Sequence, residues 1–391
     1  MKKTGKLVLN FIKKEAVLCA ALLLGAASMF LVPPDREYLA YINFRVLGLL
    51  FSLMVVMAGL RELGVFDKIA HVMLRKADNS RKLYLVMVFL CFFSAMLITN
   101  DVALITFVPF TLLLLKMAEM ESLAVPLVVF ETVAANLGSA LTPIGNPHNL
   151  YLYTYFEMAL PDFFRTMAPI TGISAVLLLF CVLTVKKEAL LTKIPEGVKQ
   201  EEAKPKEDSA KALKERKALL SAFYGLTFLL SLLTVLRVLP FWIPFGVALF
   251  GALLLQREVL LQVDYSLLAT FVGFFIFVGN MGRIEAVSSL LARLLSGREI
   301  IVAFITSQVI SNVPAAALLS GFTENAGNLL LGVNIGGLGT LIASMASLIS
   351  YKYIVREIPE KKGKYFWHFT LINVLFAILL LSFVFAYRAI K

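Results

Sequence analysis

The residues best suited to do chemistry in this chain are small, neutral and polar, and they stand where a helix cannot continue. Between Glu131 and Asn149, the residues Gly138, Pro143, Gly145 and Pro147 interrupt any helix, and Asn136, Ser139, Thr142, Asn146 and Asn149 lie among them. An unwound segment exposes carbonyls that can hold Na⁺, and the half-helix N-termini beside it offer N–H groups to an anion. The glycines let a ligand approach the backbone closely. A second segment carries Asn334, Gly336, Gly337, Gly339, Thr340, Ser344 and Ser347 in similar order, without a proline. Two shorter polar clusters, Thr99-Asn100-Asp101 and Ser311-Asn312, break long apolar runs.

Asp101 is the most informative single residue. A carboxylate near the centre of a bilayer costs at least about 2.5 kcal/mol, so it reads as a cation ligand, a proton carrier or both. Asn100, Asn146 and Asn312 could share a Na⁺ with it. Glu131 is a second candidate for coupling to a cation or proton. His148 is a third, because imidazole titrates near neutral pH, although a histidine beside a site also serves as a hydrogen-bonding spacer. Short polar residues are good helix N-caps, and Asn and Gly also assist close helix packing. Those roles explain single residues but not two matched clusters in the same order. There is no Ser/His/Asp spacing, HExxH or phosphate loop, so neither an enzyme nor an ATP-driven pump is expected. No cofactor is expected beyond Na⁺ or H⁺ as a coupling ion.

The elements that must position these groups follow from composition. Of 391 residues, 59% are hydrophobic and 16% charged, with a mean hydropathy of +0.84. A soluble domain cannot hide that much apolar surface, so the chain is read as a multi-pass membrane protein rather than a soluble enzyme or, despite its net charge of +11, a nucleic-acid-binding protein. Apolar runs near 16–33, 44–61, 122–158, 166–185, 218–237, 240–256, 261–280, 327–351 and 366–388 are predicted spans. The runs 83–118 and 299–322, each with a polar centre, are predicted re-entrant hairpins, a form tolerated at depth only where it lines a cavity or is buried in protein. Cys19, Cys91 and Cys181 lie in apolar runs and read as core residues.

With a cytoplasmic N-terminus and each hairpin returning to its own side, 28 of the 37 Lys and Arg residues face the cytoplasm. The basic charge is then a topology signal and a contact for anionic lipid. Residues 1–33 imitate a signal peptide, but the long apolar run favours a retained helix. Residues 187–217, rich in Lys, Glu and Pro, read as a cytoplasmic linker.

The clusters also align with one another. LITNDVALITFVPF matches VISNVPAAALLSGF, pairing Thr99 with Ser311 and Asn100 with Asn312. ANLGSALTPIGNPHNLYLY (135–153) matches VNIGGLGTLIASMASLISY (333–351), pairing Asn136 with Asn334, Gly138 with Gly336, Thr142 with Thr340 and Asn146 with Ser344. The fold class expected is an all-α polytopic membrane protein built from two inverted repeats, 1–186 and 240–391. Each repeat carries a re-entrant hairpin and a broken helix, and a linking transmembrane helix at 218–239 restores orientation. Inverted repeats with broken helices mark secondary transporters, with the site at the midplane.

The motifs TNDVALITFVPF and NLGSALTPIGNPHNLYLY resemble the ion transporter superfamily, which includes divalent anion/sodium symporters, citrate transporters, ArsB-type arsenite permeases and NhaD-type antiporters. The resemblance covers about residues 40–388. It implies a homodimeric elevator-type carrier in a bacterial-type cytoplasmic membrane, with hairpin tips that bind sodium and substrate carboxylates. The symporters carry Ser-Asn-Thr at each tip; here the third residues are Asp101 and Val313. The expected activity is secondary transport of a small anion, a di- or tricarboxylate or an inorganic oxyanion, with Na⁺ or H⁺. Arsenite or antimonite efflux and Na⁺/H⁺ antiport are the alternatives, and a channel would require a continuous polar path.

Overall fold

The computed structural model describes residues 15–74, 78–189 and 207–390. Among the described residues every long apolar run is helical, and the only β-type pairing is one bridge between Asn79 and Ala189. In chain order the helices are α1 (Ala16–Ser28), α2 (Phe44–Glu62), α3 (Val65–Leu74), α4 (Ser80–Ile98), α5 (Asn100–Met117), α6 (Ala124–Ser139), α7 (Pro147–Tyr155) and α8 (Leu160–Thr184). Then come α9 (Glu207–Val235), α10 (Trp242–Leu255), α11 (Tyr265–Gly282), α12 (Glu285–Leu295), α13 (Glu299–Ile310), α14 (Asn312–Leu319), α15 (Ala326–Gly336), α16 (Met345–Glu357) and α17 (Lys362–Ile390). Among the described residues, eight helical segments are long and apolar enough to cross a membrane. The chain is thus an all-helical, multi-pass membrane protein.

Several helices begin at side-chain caps. Asn43, Asn79, Asp264 and Asn325 each accept a hydrogen bond from the backbone N–H three residues on, at 2.9–3.1 Å, and so start α2, α4, α11 and α15. The helix ends fall into two groups of mutual contacts. In one, Arg61 donates to Gln262 at 2.6 Å, Lys361 to the Glu121 carbonyl at 2.8 Å and Arg81 to the Val185 carbonyl at 2.9 Å. In the other, Arg45 donates to the Thr234 carbonyl at 3.0 Å, Arg237 to the Met158 carbonyl at 2.8 Å, and Arg283 pairs with Asp35 at 2.6 Å.

Three boundaries differ from the sequence reading. Helix α9 starts at Glu207, inside the 187–217 segment, because the stretch after Pro205 is rich in the helix formers Glu, Ala, Lys and Leu. Residues 186–189 lie against the start of α4: the Ser80 hydroxyl donates to the Lys186 carbonyl and accepts from the Glu188 N–H. The rest of that segment, like the basic residues 2–14, lies outside the described residues. Helix α1 stops at Ser28 rather than near 33, where the Ser28 hydroxyl turns back to the Gly25 carbonyl and accepts from Asn280. Here α1 crosses α11 at close range: a Cβ on Gly273 would lie 2.8 Å from the Ala21 backbone.

The Asp35–Arg283 pair ties the loop after α1 to the end of α11. The hydrogen bond from Arg283 holds the Asp35 carboxyl below the usual carboxylate range. A lowered folded-state value means the stabilisation is fully present above the ordinary carboxylate pKa and disappears as pH falls through the lowered one. Asp35→Asn should therefore lower the melting temperature slightly at neutral pH, with the gap to wild type closing in acid. A gap independent of pH would assign the effect to packing.

Candidate functional site

Four helices, α5, α7, α14 and α16, start in the interior rather than at an end of the bundle. The residues at their N-cap positions are Thr99, Asn146, Ser311 and Ser344, all types that favour capping. None of the four makes a side-chain cap bond. This corrects the simple expectation that the polar tips cap the helices that follow them. Thr99 and Ser311 instead adopt φ of 71° and 74° with ψ of 153° and 154°, a conformation that side-chain-bearing residues rarely take. What holds it is the next residue: the Asn100 N–H donates to the Gly145 carbonyl at 3.3 Å, and the Asn312 N–H to the Ala343 carbonyl at 2.9 Å. Each hairpin tip is therefore latched to the break of its own half, at positions that correspond in the alignment.

Asn136, on the last turn of α6, is the hub of the first polar cluster. Its carbonyl oxygen accepts from Asn100 at 2.9 Å and from Ser344 at 3.0 Å, and its amide faces the Ser347 hydroxyl at 3.4 Å. Asn334, at the matching position of α15, donates to Asn149 at 2.7 Å, and its Oδ1 lies 3.2 Å from the His148 Nε2. An amide oxygen can only accept, so His148 carries its proton on Nε2. Asn136 thus reaches Ser347 across the molecule while Asn334 reaches Asn149, the residue aligned with Ser347. The two contacts join residues that exchange places in the alignment of the two segments.

The helix breaks are closely packed. A Cβ on Gly138 would lie 2.0 Å from the Phe92 carbonyl, and one on Gly336 would lie 2.6 Å from the Ser307 hydroxyl and 3.2 Å from the backbone of Phe304. Gly145 sits against the Ser139 carbonyl and Gly337 against the Asn312 amide. These glycines serve helix–helix approach. Thr142 donates to the Met96 carbonyl and Thr340 to the Gln308 carbonyl, which staples each break to its hairpin. Asn146 donates to the Ser139 hydroxyl at 2.5 Å, and Ser139 to the Asn136 carbonyl at 2.9 Å.

Thr99, Asp101 and Asn146 line a cavity of about 210 Å³ that Arg61, Gln262 and Asp264 also line. Asp101 is half-buried, and its Oδ1 has no hydrogen-bond partner among the described residues. Glu131 does not line this cavity. It is fully buried on α6, with one oxygen accepting from Thr111 at 2.5 Å and the other unpartnered among the described residues. Sequence reasoning left out Gln308, four residues before Asn312, which bonds to the second break at several points. An amide in an otherwise apolar hairpin run was the signal for it.

A bundle of membrane helices, broken at its centre around a polar cluster and opening into a cavity, defines a membrane transporter. The chain belongs to the citrate transporter family, whose sequence profile matches residues 8–328. It is 34% identical to an uncharacterized transporter of Methanocaldococcus jannaschii, over 81% of this chain and 82% of that protein. It is 31% identical to the inner membrane protein YbiR of Escherichia coli, over 85% and 86% of the two. The silicon efflux transporter LSI3 of Oryza sativa is 31% identical over a shorter region, 38% of this chain and 31% of that protein.

The reciprocal arrangement predicts matched losses. Asn136→Ala and Asn334→Ala each orphan buried partners, at about 1–3 kcal/mol per unsatisfied group. Both should lower the melting temperature in detergent by comparable amounts. A silent Asn334→Ala beside a damaging Asn136→Ala would show that the two hubs are not equivalent.

Proposed function

We propose that this protein is a secondary active transporter that moves a small anion, a di- or tricarboxylate or an inorganic oxyanion, together with Na⁺ or H⁺. The observation that carries this reading is the set of four interior helix starts without side-chain caps, grouped around Asn100, Asn136, Asn312 and Ser344. Helix N-termini favour negative charge. Asp101 beside them supplies the opposite need: a bare carboxylate in the cavity repels an anion until a proton or cation neutralises it. Solute and coupling ion would then enter together.

The register of α6 against α16 supports inverted halves. Asn136 meets Ser347 near the break, while Thr132, one turn earlier in α6, donates to Ser350, one turn later in α16, at 2.7 Å. The two helices therefore run antiparallel, and Lys361 beyond α16 reaches Glu121 ahead of α6. If α7 continues across the membrane from α6 and α16 from α15, the two halves cross in opposite senses. The group of helix ends that includes Arg61, Arg81 and Lys361 is the one the basic-residue count assigns to the cytoplasm. The cavity beside Arg61 then opens inward. Two oppositely directed hairpins fit alternating access, with the hairpins and broken helices moving as one body in an elevator-type, dimeric carrier.

A second reading is efflux of a neutral hydroxylated solute such as arsenous or silicic acid. It is favoured by the lack of any Lys or Arg among the polar residues of the tips and breaks, and by the relative named as a silicon efflux transporter. Na⁺/H⁺ antiport would use Asp101 alone.

Two outcomes follow for proteoliposomes. Asp101→Asn should fold but lose accumulation driven by a Na⁺ or pH gradient; retained coupling would remove Asp101 from the mechanism. Asn100→Ala and Asn312→Ala should both weaken solute binding, measured as thermal stabilisation by citrate, succinate, sulfate or arsenite. Unchanged binding in Asn312→Ala would restrict the site to the first half.

A further inference from the structure

The backbone carbonyls freed by the two helix breaks look like cation ligands, yet side-chain amides occupy both positions. At the first break the Nδ2 of Asn149 faces the carbonyls of Ser139, Ala140 and Thr142 at 3.2, 3.3 and 3.1 Å. At the second break the Nε2 of Gln308 faces the carbonyls of Gly336 and Leu338 at 2.8 and 2.9 Å, and that of Phe304, one turn back in its own helix α13, at 3.2 Å. An –NH₂ group has two protons, so at the first break three converging carbonyls outnumber the donors, and at the second the two break carbonyls take both. Each amide places its partial positive charge where freed carbonyls converge, the position a bound cation would take.

Both amide orientations are fixed by their networks. The Oδ1 of Asn149 accepts from Asn334 at 2.7 Å, and the Oε1 of Gln308 accepts from the Thr340 N–H at 2.9 Å. Reversing either would set oxygen against oxygen. Gln308 also has a prepared seat, since Gly339 has φ of 114° and any Cβ there would lie 2.3 Å from the Gln308 Oε1. The two donors do not occupy aligned positions: Asn149 aligns with Ser347, and Gln308 with Met96. The two halves perform the same task with different residues.

We infer that Asn149 and Gln308 stand in for a cation at the two breaks, so that neither break binds Na⁺ and cation traffic is confined to the cavity at Asp101. The inference rests on reading the breaks as part of the transport site. It predicts that replacing either amide by the carboxylate of the same shape converts its position into a monovalent-cation site once the carboxyl is ionised, because a carboxylate oxygen then faces the break carbonyls with no donor between them.

The test is thermal unfolding of purified protein carrying both Asp101→Asn and Asp264→Asn, and of Asn149→Asp and Gln308→Glu in that background, at mildly alkaline pH in NaCl or choline chloride of equal ionic strength. Removing both carboxylates that line the cavity separates this claim from Na⁺ binding there, and no transport is required. The expected result is an unshifted parent, with variants that are destabilised in choline and rise by several degrees, saturably, with Na⁺. Saturable Na⁺ stabilisation of the parent overturns the inference, as do folded variants that ignore Na⁺. If neither variant is recovered, the Na⁺ titration of the parent decides alone: a saturable shift overturns the inference and a flat response upholds it.

Discussion

The rest of this structure depends on two helices that stop inside the helical bundle. A helix end buried in protein has N–H and C=O groups that bulk water does not reach, and each one left unsatisfied costs several kcal/mol. The protein answers with side chains of the least charge that still donate and accept. Asn100, Asn136, Asn149, Asn334, Gln308, Ser139 and Ser344 close the network within the bundle, and none of the four residues at the interior N-cap positions caps its own helix with its side chain. The helix starts in the outer parts of the bundle face no such restriction, and Asn43, Asn79, Asp264 and Asn325 cap four of them.

The packing follows from the same requirement. A polar network of short side chains works only if the backbones it joins are close together. Gly138 against Phe92 and Gly336 against Phe304 and Ser307 bring each broken helix onto its hairpin with no room for a methyl group. Large side chains are kept for the second layer, where Phe92, Phe107, Tyr151 and Tyr365 are fully buried around the breaks. The strained φ at Thr99 and Ser311 also belongs here, because a tip that must present its next N–H to a carbonyl across the gap has little freedom at the turn.

Much of this was legible in the sequence, and the reasons differ by element. The crowding of prolines and glycines into 138–147 locates the first break, and α6 and α7 end and begin at Ser139 and Pro147, whereas the single Pro109 and Pro169 leave α5 and α8 continuous. The polar interruptions at Asn100 and Asn312 locate the hairpin tips, since apolar runs of that length tolerate polar residues only at a turn or a cavity. The rotation of a helix about its own axis was not legible. Whether Glu131 faces the cavity or Thr111 depends on how α6 packs against α5, which single-chain periodicity in an all-apolar environment does not encode. Nor could the caps be read, because Ser344 has capping chemistry but its hydroxyl donates to Asn136 instead, and Thr99 sits at a φ of 71° without capping α5. Gln308 escaped because alignment pairs it with Met96, so its task at the second break has no counterpart at the same position in the first.

The crossed contacts between Asn136 and Ser347 and between Asn334 and Asn149 also bear on the kind of side chain each half supplies. Contacts of this reciprocal kind can be made by two identical chains as readily as by two halves of one. The first half holds both an Asn at position 136 and an Asn at position 149, so two copies of it facing each other would satisfy each other's amides without any residue from the second half. One consequence is that the Asn136 and Asn149 side chains are self-complementary in kind, each an amide that can both donate and accept. At the second break the corresponding work is divided between Asn334, Ser347 and Gln308.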